Sequence, residues 1–340
     1  MSTEEIESPA IPQMSFLRPP SIKVSPQVDD RFEGKRMTHF IKDASKIREC
    51  DIALIGVPFD GGTVTGRPGA RFGPQGVRQA FLLHSTFNPV MEVELNGLVD
   101  ICDLGDIDVL NTNIAESEKR IEKVLTWIHE TGALPVMIGG DHTITFSSVK
   151  ALTNTVKGKV GVIVFDCHYD MRISHHGEIS CGTPFRRVLD SLEGRVDGTN
   201  LVQIGIHSFI DFKFYRDYMK SKGTRLYTAL EVHERGIQNV VKEALEYASD
   251  GTDAIYFSFD IDSVDHSMAP GTSSPMGGGV LSWEAIRAVE MIARNNKVKA
   301  FDIVEVSPPL DHADITTQLA AGLVNQFITG FALRRQSLDF

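Results

Sequence analysis

Cysteine is sparse, four residues in a chain of 340, and no two of them form a Cys-x-x-Cys pair. Cys50, Cys102, Cys167 and Cys181 are widely spaced, and four thiols in so long a chain do not imply a disulfide framework, so a reducing cytoplasm is the expected compartment. Long hydrophobic runs are missing. None approaches the roughly 18 uninterrupted apolar residues of a membrane-crossing helix, and the N-terminus has no basic and apolar leader; no membrane partner is expected. Nucleotide loops are absent too, with neither a Gly-x-Gly-x-x-Gly at a strand exit nor a Gly-Lys-Ser/Thr phosphate loop. Positive charge is in deficit, 34 Lys and Arg against 45 Asp and Glu for a net charge of -11. That balance argues against a nucleic-acid partner and mildly favours a cationic ligand.

Apolar material is plentiful. Hydrophobic residues make up 42% of the chain, enough for one large core, so residues 33–340 are expected to form a single domain. Residues 1–32, rich in Ser, Pro and Glu, read as an extended arm with an anchoring patch at 16–20. Short apolar runs at 52–57, 133–138, 160–165, 201–206 and 253–259 predict buried strands, and another ends at Val304. Residues 75–83, 114–129, 144–152, 209–219, 237–248, 283–293 and 315–333 predict helices between and after them. The alternation predicts an α/β fold of three layers, helices on both faces of a central, mostly parallel sheet, with ligands near the C-terminal strand ends.

Three polar clusters stand where that rule puts chemistry. Gly139-Gly140-Asp141-His142 follows one apolar run, Asp166-Cys167-His168-Tyr169-Asp170 follows a second, and Asp260-Ile261-Asp262 follows a third. If strand geometry continues through Asp170, then Asp166, His168 and Asp170 share one face while Cys167 and Tyr169 point the other way. Taken singly, each Asp also reads as a helix cap and His142 as a hydrogen-bonded core residue. Together they supply two imidazoles and several carboxylates. Carboxylates so gathered repel one another and would rise in pKa unless cations neutralise them. Two divalent ions sharing bridging carboxylates resolve that conflict and activate a shared water for attack, the pattern of a binuclear metallohydrolase.

With Glu305-Val306-Ser307-Pro308-Pro309 and the 67–74 segment Arg-Pro-Gly-Ala-Arg-Phe-Gly-Pro, these clusters form an ordered set. From about Asp51 to Leu333 the chain resembles the ureohydrolase family of arginases, agmatinases and guanidino-acid hydrolases. Cys181-Gly182-Thr183-Pro184-Phe185-Arg186-Arg187 and Asp311-His312-Ala313-Asp314-Ile315-Thr316 make the agmatinase-like branch the nearer likeness. The resemblance implies an arginase-like fold and hydrolysis of a small cationic guanidino compound to urea and an amine-bearing product. It implies that His142, Asp166, Asp170 and Asp260 hold one ion and His168, Asp166, Asp260 and Asp262 the other, with Asp166 and Asp260 bridging. Family members generally use Mn2+, some Ni2+, and the ligand types also admit iron or zinc. Glu305 resembles the acid that pairs with the planar guanidinium, although a structural ion pair is its other reading. Asp170 is expected to hold the nucleophile and pass a proton to the leaving amine. Family members form trimers or hexamers, so a homo-oligomer is implied, and a hetero-oligomer with a homologous subunit is an alternative.

Several departures bear on substrate and mechanism. The agmatinase-like pattern carries a histidine where this chain has Cys181, which is a candidate for the same proton-transfer role, although a neutral thiol is not assumed to repeat imidazole chemistry. His175 or His176, or ordered water, are the candidate substitutes. Cys167 stands for the usual alanine, His207 where arginine is common, His266 for the usual proline, and 273–276 lacks the acidic continuation. His207 and His266 are candidate substrate-tail residues, with structural roles equally open. Two further readings follow: a nickel-dependent hydrolase of guanidine or of an alkylated biguanide such as metformin, and a weakly active subunit supporting a catalytic homologue.

Overall fold

The computed structural model describes residues 17–18 and 36–336. Leu17–Arg18 (β1) thus belongs to the expected arm, and the rest of residues 1–32 lies outside the described residues. The other strands are Lys42–Asp43 (β2), Ile52–Gly56 (β3), Phe87–Asn88 (β4), Val93–Glu94 (β5), Ile101–Ile107 (β6), Leu134–Ile138 (β7), Lys159–Phe165 (β8), Leu201–Ile206 (β9), Arg225–Thr228 (β10), Thr252–Asp260 (β11) and Val298–Val304 (β12). β4 and β5 form a separate hairpin. The rest make one ten-stranded sheet in the order β1-β6-β3-β7-β12-β11-β8-β9-β10, with β2 also paired to β6. Within it only the β1–β6 pairing is antiparallel.

Alternation within the strands explains the three layers, because successive side chains point to opposite faces. In β11, Ile255, Phe257 and Phe259 enter one apolar cluster and Ala254 and Tyr256 the other; in β8, Ile163 and Phe165 divide in the same way from Val160, Val162 and Val164. The helices Met37–Phe40 (α1), Gly73–Ala80 (α2), Ile114–Thr131 (α3), Ile144–Thr155 (α4), Pro184–Ser191 (α5), Lys213–Lys222 (α6), Ala229–Arg235 (α7), Ile237–Ser249 (α8), Ser282–Ala293 (α9) and Ile315–Gln336 (α10) cover these faces. α2, α8, α9 and α10 pack on the first cluster and α3, α4 and α5 on the second. On the first face the rings of Phe257, Phe301 and Phe327 stack, with Phe301 and Phe327 centroids 4.4 Å apart.

Local signals set the helix ends. Asn113 caps α3 by accepting the Glu116 N–H, and Gly132 ends it in a left-handed conformation. Thr228 and Glu231 form a reciprocal capping box on α7. Sequence periodicity did not announce β6, β10, α5 or α7. β6 carries Asp103 and Asp106 inside the strand, and both pair with buried Arg78, whose Nε reaches Asp103 at 2.7 Å and whose Nη1 reaches Asp106 at 2.5 Å. The helix expected over 209–219 begins only at Lys213.

The expectation for the cysteines requires correction. Cys50 and Cys102 form a disulfide, with Cα atoms 6.0 Å apart. Wide separation in sequence hid the pair because parallel β3 and β6 set Ala53 opposite Cys102, beside the chain entering β3. Among the described residues no helix is long and apolar enough to cross a membrane.

Candidate metal centre

Four adjacent strands, β7, β12, β11 and β8, end at one rim of the sheet. Their register is close: Ile138 lies opposite Ile303, Val304 opposite Asp260, and Phe259 opposite Phe165. Each exit therefore delivers its polar residues to one place, His142 after β7, Glu305 after β12, Asp260 and Asp262 at β11, and Asp166, His168 and Asp170 after β8. Gly140 is needed at the first exit, since a Cβ there would collide with the Phe59 backbone. Asp141 then fastens the turn, accepting from Gly62 N at 2.8 Å and Thr143 N at 3.0 Å.

The side chains converge in two groups that share Asp166. His142 Nδ1 lies 3.2 Å from Asp166 Oδ2, 3.0 Å from Asp170 Oδ2 and 3.2 Å from Asp260 Oδ2. His168 Nδ1 lies 3.1 Å from Asp262 Oδ2 and 3.5 Å from Asp166 Oδ1. Ligand-capable atoms of His142, Asp166 and Asp260 fall within 4.8 Å of one another, as do those of Asp166, Cys167, His168 and Asp262. Strand geometry does not continue through this segment as expected. β8 ends at Phe165 and Asp170 has a left-handed φ of 49°, so Cys167 turns into the second group rather than away from it.

The electrostatics fit divalent cations. His142 Nδ1 and Asp166 Oδ2 are buried and make no hydrogen bond, although they lie 3.2 Å apart. Burial followed by the charge of Asp166 raises the Asp170 carboxyl to about 6, and burial followed by the charge of Asp262 pushes Asp260 well above the carboxylate range. Burial opposes charge on His142, but Asp166, Asp170 and Asp260 outweigh it and push the imidazole well up. Without cations the cluster must therefore hold protons between its acids and imidazoles. Two oxygen- and nitrogen-seeking ions would replace them and satisfy the orphaned atoms.

A second layer, not singled out from the sequence, steadies the first. His142 Nε2 lies 3.0 Å from Ser258 Oγ, and Ser258 Oγ donates to Asp302 Oδ1 at 2.6 Å. Tyr256 Oη at 2.5 Å and Thr145 Oγ1 at 2.8 Å donate to Asp302 Oδ2. Asp262 Oδ1 accepts from Cys167 N at 3.2 Å. Alternation along β11 carries the clue: Ser258 precedes the candidate ligand Asp260 by two residues and so shares its face.

Glu305 borders the cluster with a left-handed φ of 62°, uncommon outside glycine and costly unless its surroundings enforce it. Its Oε1 accepts from His142 N at 3.0 Å and its Oε2 from Ser273 Oγ at 3.0 Å. Burial, then the charge of Asp141, raises its carboxyl to about 8. Cys181 lies nearby, and burial together with the negative charges of Glu305, Asp141 and Asp170 pushes its thiol well above the usual range. It is a neutral group at ordinary pH.

The remaining candidates stand apart from the two groups. His175 and His176 contact each other at 4.6 Å and line a cavity of about 670 Å³ with Gly61, Gly62 and Asn113. Among the described residues neither ring hydrogen-bonds to the cluster. His207 Nδ1 lies 2.7 Å from Gly205 O, and its Nε2 is buried without a partner; its backbone N–H donates to Cys167 O at 3.3 Å. His266 is exposed and fixed only through its backbone. Asp211 accepts from Tyr169 N at 3.0 Å, and burial raises it to about 7.

The sequence profile of the Arginase family matches residues 50–330. A mitochondrial guanidino acid hydrolase of Homo sapiens is 37% identical over 280 residues, spanning 82% of this chain and 77% of that protein. The crystal structure of formimidoylglutamase from Bacillus subtilis aligns with a TM-score of 0.84 at 33% identity, covering 92% of this chain and 97% of that one. A Trypanosoma cruzi formiminoglutamase solved with Mn2+ aligns with a TM-score of 0.82 at 27% identity, covering 89% and 100%.

Proposed function

The chain belongs to the arginase family of metal-dependent hydrolases acting on C–N bonds of linear amidines, and from that premise we propose that it hydrolyses a small guanidino or formimidoyl compound carrying a carboxylate tail. The arrangement of Glu305 carries the reading. A buried carboxyl, held by His142 N and Ser273 Oγ at the rim of two ligand groups, becomes a directional acceptor for the N–H groups of a planar amidinium once that cation's charge ionises it. The tail follows from the relatives, named for guanidino acids and formimidoylglutamate, and from Arg172. That half-buried side chain lies along Gly182, next to Cys181, and its guanidinium has no hydrogen-bond or ion-pair partner among the described residues.

Ions bound between the two groups would supply an ionised water near neutral pH and a positive field for developing charge. Mn2+ is the proposed metal, by analogy with the T. cruzi structure. Glu305 orients the amidine carbon over the cluster. Asp170 accepts a proton during attack and returns it to the departing nitrogen. Water adds across the C–N bond, leaving an amine with urea from a guanidino group or formamide from a formimidoyl group. Cys181, neutral, stands beside this path rather than moving the proton.

The test is a substrate panel with manganese-loaded protein: formimidoylglutamate, guanidinopropionate, guanidinobutyrate, agmatine, guanidine and metformin, read by release of ammonia, urea, formamide and amine. Turnover confined to acid-tailed compounds is expected. Replacing Arg172 by Ala should raise KM for these roughly ten- to hundredfold, the value of a charge-assisted hydrogen bond, and leave agmatine kinetics nearly unchanged. Turnover of agmatine, guanidine or metformin alone would remove the carboxylate assignment. No turnover at full metal loading would favour the supporting-subunit alternative.

A further inference from the structure

A second cavity, of about 480 Å³, lies at the other end of the sheet from the candidate metal centre, where strands begin rather than end. Asp51 precedes β3, Ala133 and Leu134 lead into β7, and Lys299 is the second residue of β12; all four line it. β7 and β12 are five and seven residues long, so at roughly 3.3 Å per residue ~17–23 Å of strand separate this cavity from the rim. It stands outside the substrate path.

Charge is unbalanced there. Lys299, Arg334 and Arg335 face a single carboxylate, Asp51, and His129, which burial pushes down to about 4, is neutral. Three positive charges against one leave an excess of two, in a chain whose net charge is -11. Asp51 is already engaged, paired with Arg335 and accepting from Asp100 N at 2.9 Å. Arg334 is held by one nitrogen: its Nη1 donates to Ala293 O at 3.1 Å, Asn295 O at 2.7 Å and Val298 O at 3.1 Å, and the guanidinium stands 4.3 Å from the Phe331 ring. Among the described residues Arg334 Nε and Nη2 make no hydrogen bond, and Lys299 has neither a hydrogen bond nor an ion pair. The cations crowd one another: burial, then the charge of Arg335, pushes Arg334 down to about 10, and burial, then the charge of Arg334, lowers Lys299.

Like charges gathered in a half-buried place destabilise one another, and an anion among them removes that cost. Leu134, Leu152, Val156 and Phe331 give the cavity apolar walls, and a concave space of this size with apolar walls and a few convergent polar groups is the common form of a small-molecule site. A guanidinium edge meets an oxyanion with directed N–H groups, and an ammonium adds a point charge. We propose that this cavity binds a small dianion, a phosphate monoester or a dicarboxylate, with Lys299 Nζ and the Nε and Nη2 edge of Arg334 as its recognition groups. The excess of two positive charges sets the charge of the ligand. The apolar walls take its carbon skeleton. The inference is independent of the reaction proposed above.

The experiment is isothermal titration of the manganese-loaded full chain with glycerol 3-phosphate, succinate and chloride at fixed ionic strength. A site for one dianion per chain is expected, with Kd raised roughly ten- to hundredfold in Lys299→Gln, the worth of a charge-assisted hydrogen bond, and unchanged in Lys220→Gln, which does not line the cavity. Because Lys299 supports no contact in the fold, its variant should melt with the unsubstituted protein, so lost binding is not lost structure. A dianion held at the metal centre instead would be indifferent to Lys299→Gln. Tighter glycerol 3-phosphate assigns the cavity to phosphate esters, and tighter succinate assigns it to dicarboxylates. Absence of dianion binding, binding untouched by Lys299→Gln, or chloride bound as tightly as either dianion would overturn the proposal.

Discussion

Asp302 touches none of the six candidate ligands, yet its charge reaches one of them through Ser258 Oγ, which bridges it to His142 Nε2. Such outer partners fix the tautomer and aim of a metal-binding imidazole. Asp302→Asn should therefore weaken ion binding at the His142 position about ten- to hundredfold, with a smaller effect at His168, as isothermal titration with Mn2+ would show. Equal weakening at both positions would contradict the relay. Protons compete for the same cluster: Asp170 stands at about 6 in the ion-free protein, and an acid must be ionised to bind metal. Mn2+ affinity should fall steeply as pH drops through about 6 and keep rising above it, because His142, His168 and Asp260 also hold protons that the ion must displace. A flat profile across that window would count against Asp170 as a ligand. The six ligand candidates were legible in the sequence because each follows an apolar run. Cys167 was misread through one wrong premise, that β8 continues to Asp170, and the roles of Ser258, Ser273 and Asp302 gave no signal because they exist only in contacts between distant segments.

Elements fail or succeed here by how tightly backbone meets backbone. The turn between β7 and α4 brings Gly140 against Phe59, leaving no room for a side chain. Gly140→Ala should destabilise the protein by more than the ~1 kcal/mol of a routine glycine replacement and lower metal occupancy at His142, both readable from thermal melts with and without Mn2+. Normal stability with normal occupancy would show that the turn can relax. Strands with continuous apolar runs, such as β8 and β9, were evident from sequence. β6 was not, because Asp103 and Asp106 answer to Arg78 on α2 rather than to solvent, and β10 is only four residues long. The loop after β9 delays α6 to Lys213, holding instead the contacts of His207 and Ser208 to Cys167.

For the whole molecule, the cluster is a local debt of stability that cations cancel. The ion-free fold raises Asp170 to about 6 and Glu305 to about 8, above ordinary unfolded values near 4. A folded state that binds more protons than the unfolded chain loses stability as pH rises, here between about 4 and about 8. Chelation should therefore lower the melting temperature, and by more at pH 8 than at pH 6, while ligation at 100 times Kd restores about 2.7 kcal/mol. A chelator effect that shrinks with pH would reverse the sign of this account. Fold class was readable from the alternation of apolar strand runs with helices, since strands buried on both faces need helices on each side. The Cys50–Cys102 bridge was not, because nothing in the sequence fixes which strands become neighbours.

The four strand exits at the rim lead into four separate connections, while the segment bearing Arg172, His175 and His176 hangs from only one of them. On the proposed function, the chemistry and the reading of the substrate tail are thus anchored to different stretches of chain. Exchange of residues 171–181 between relatives should transplant appetite for a new substrate tail and leave the hydrolytic cage intact.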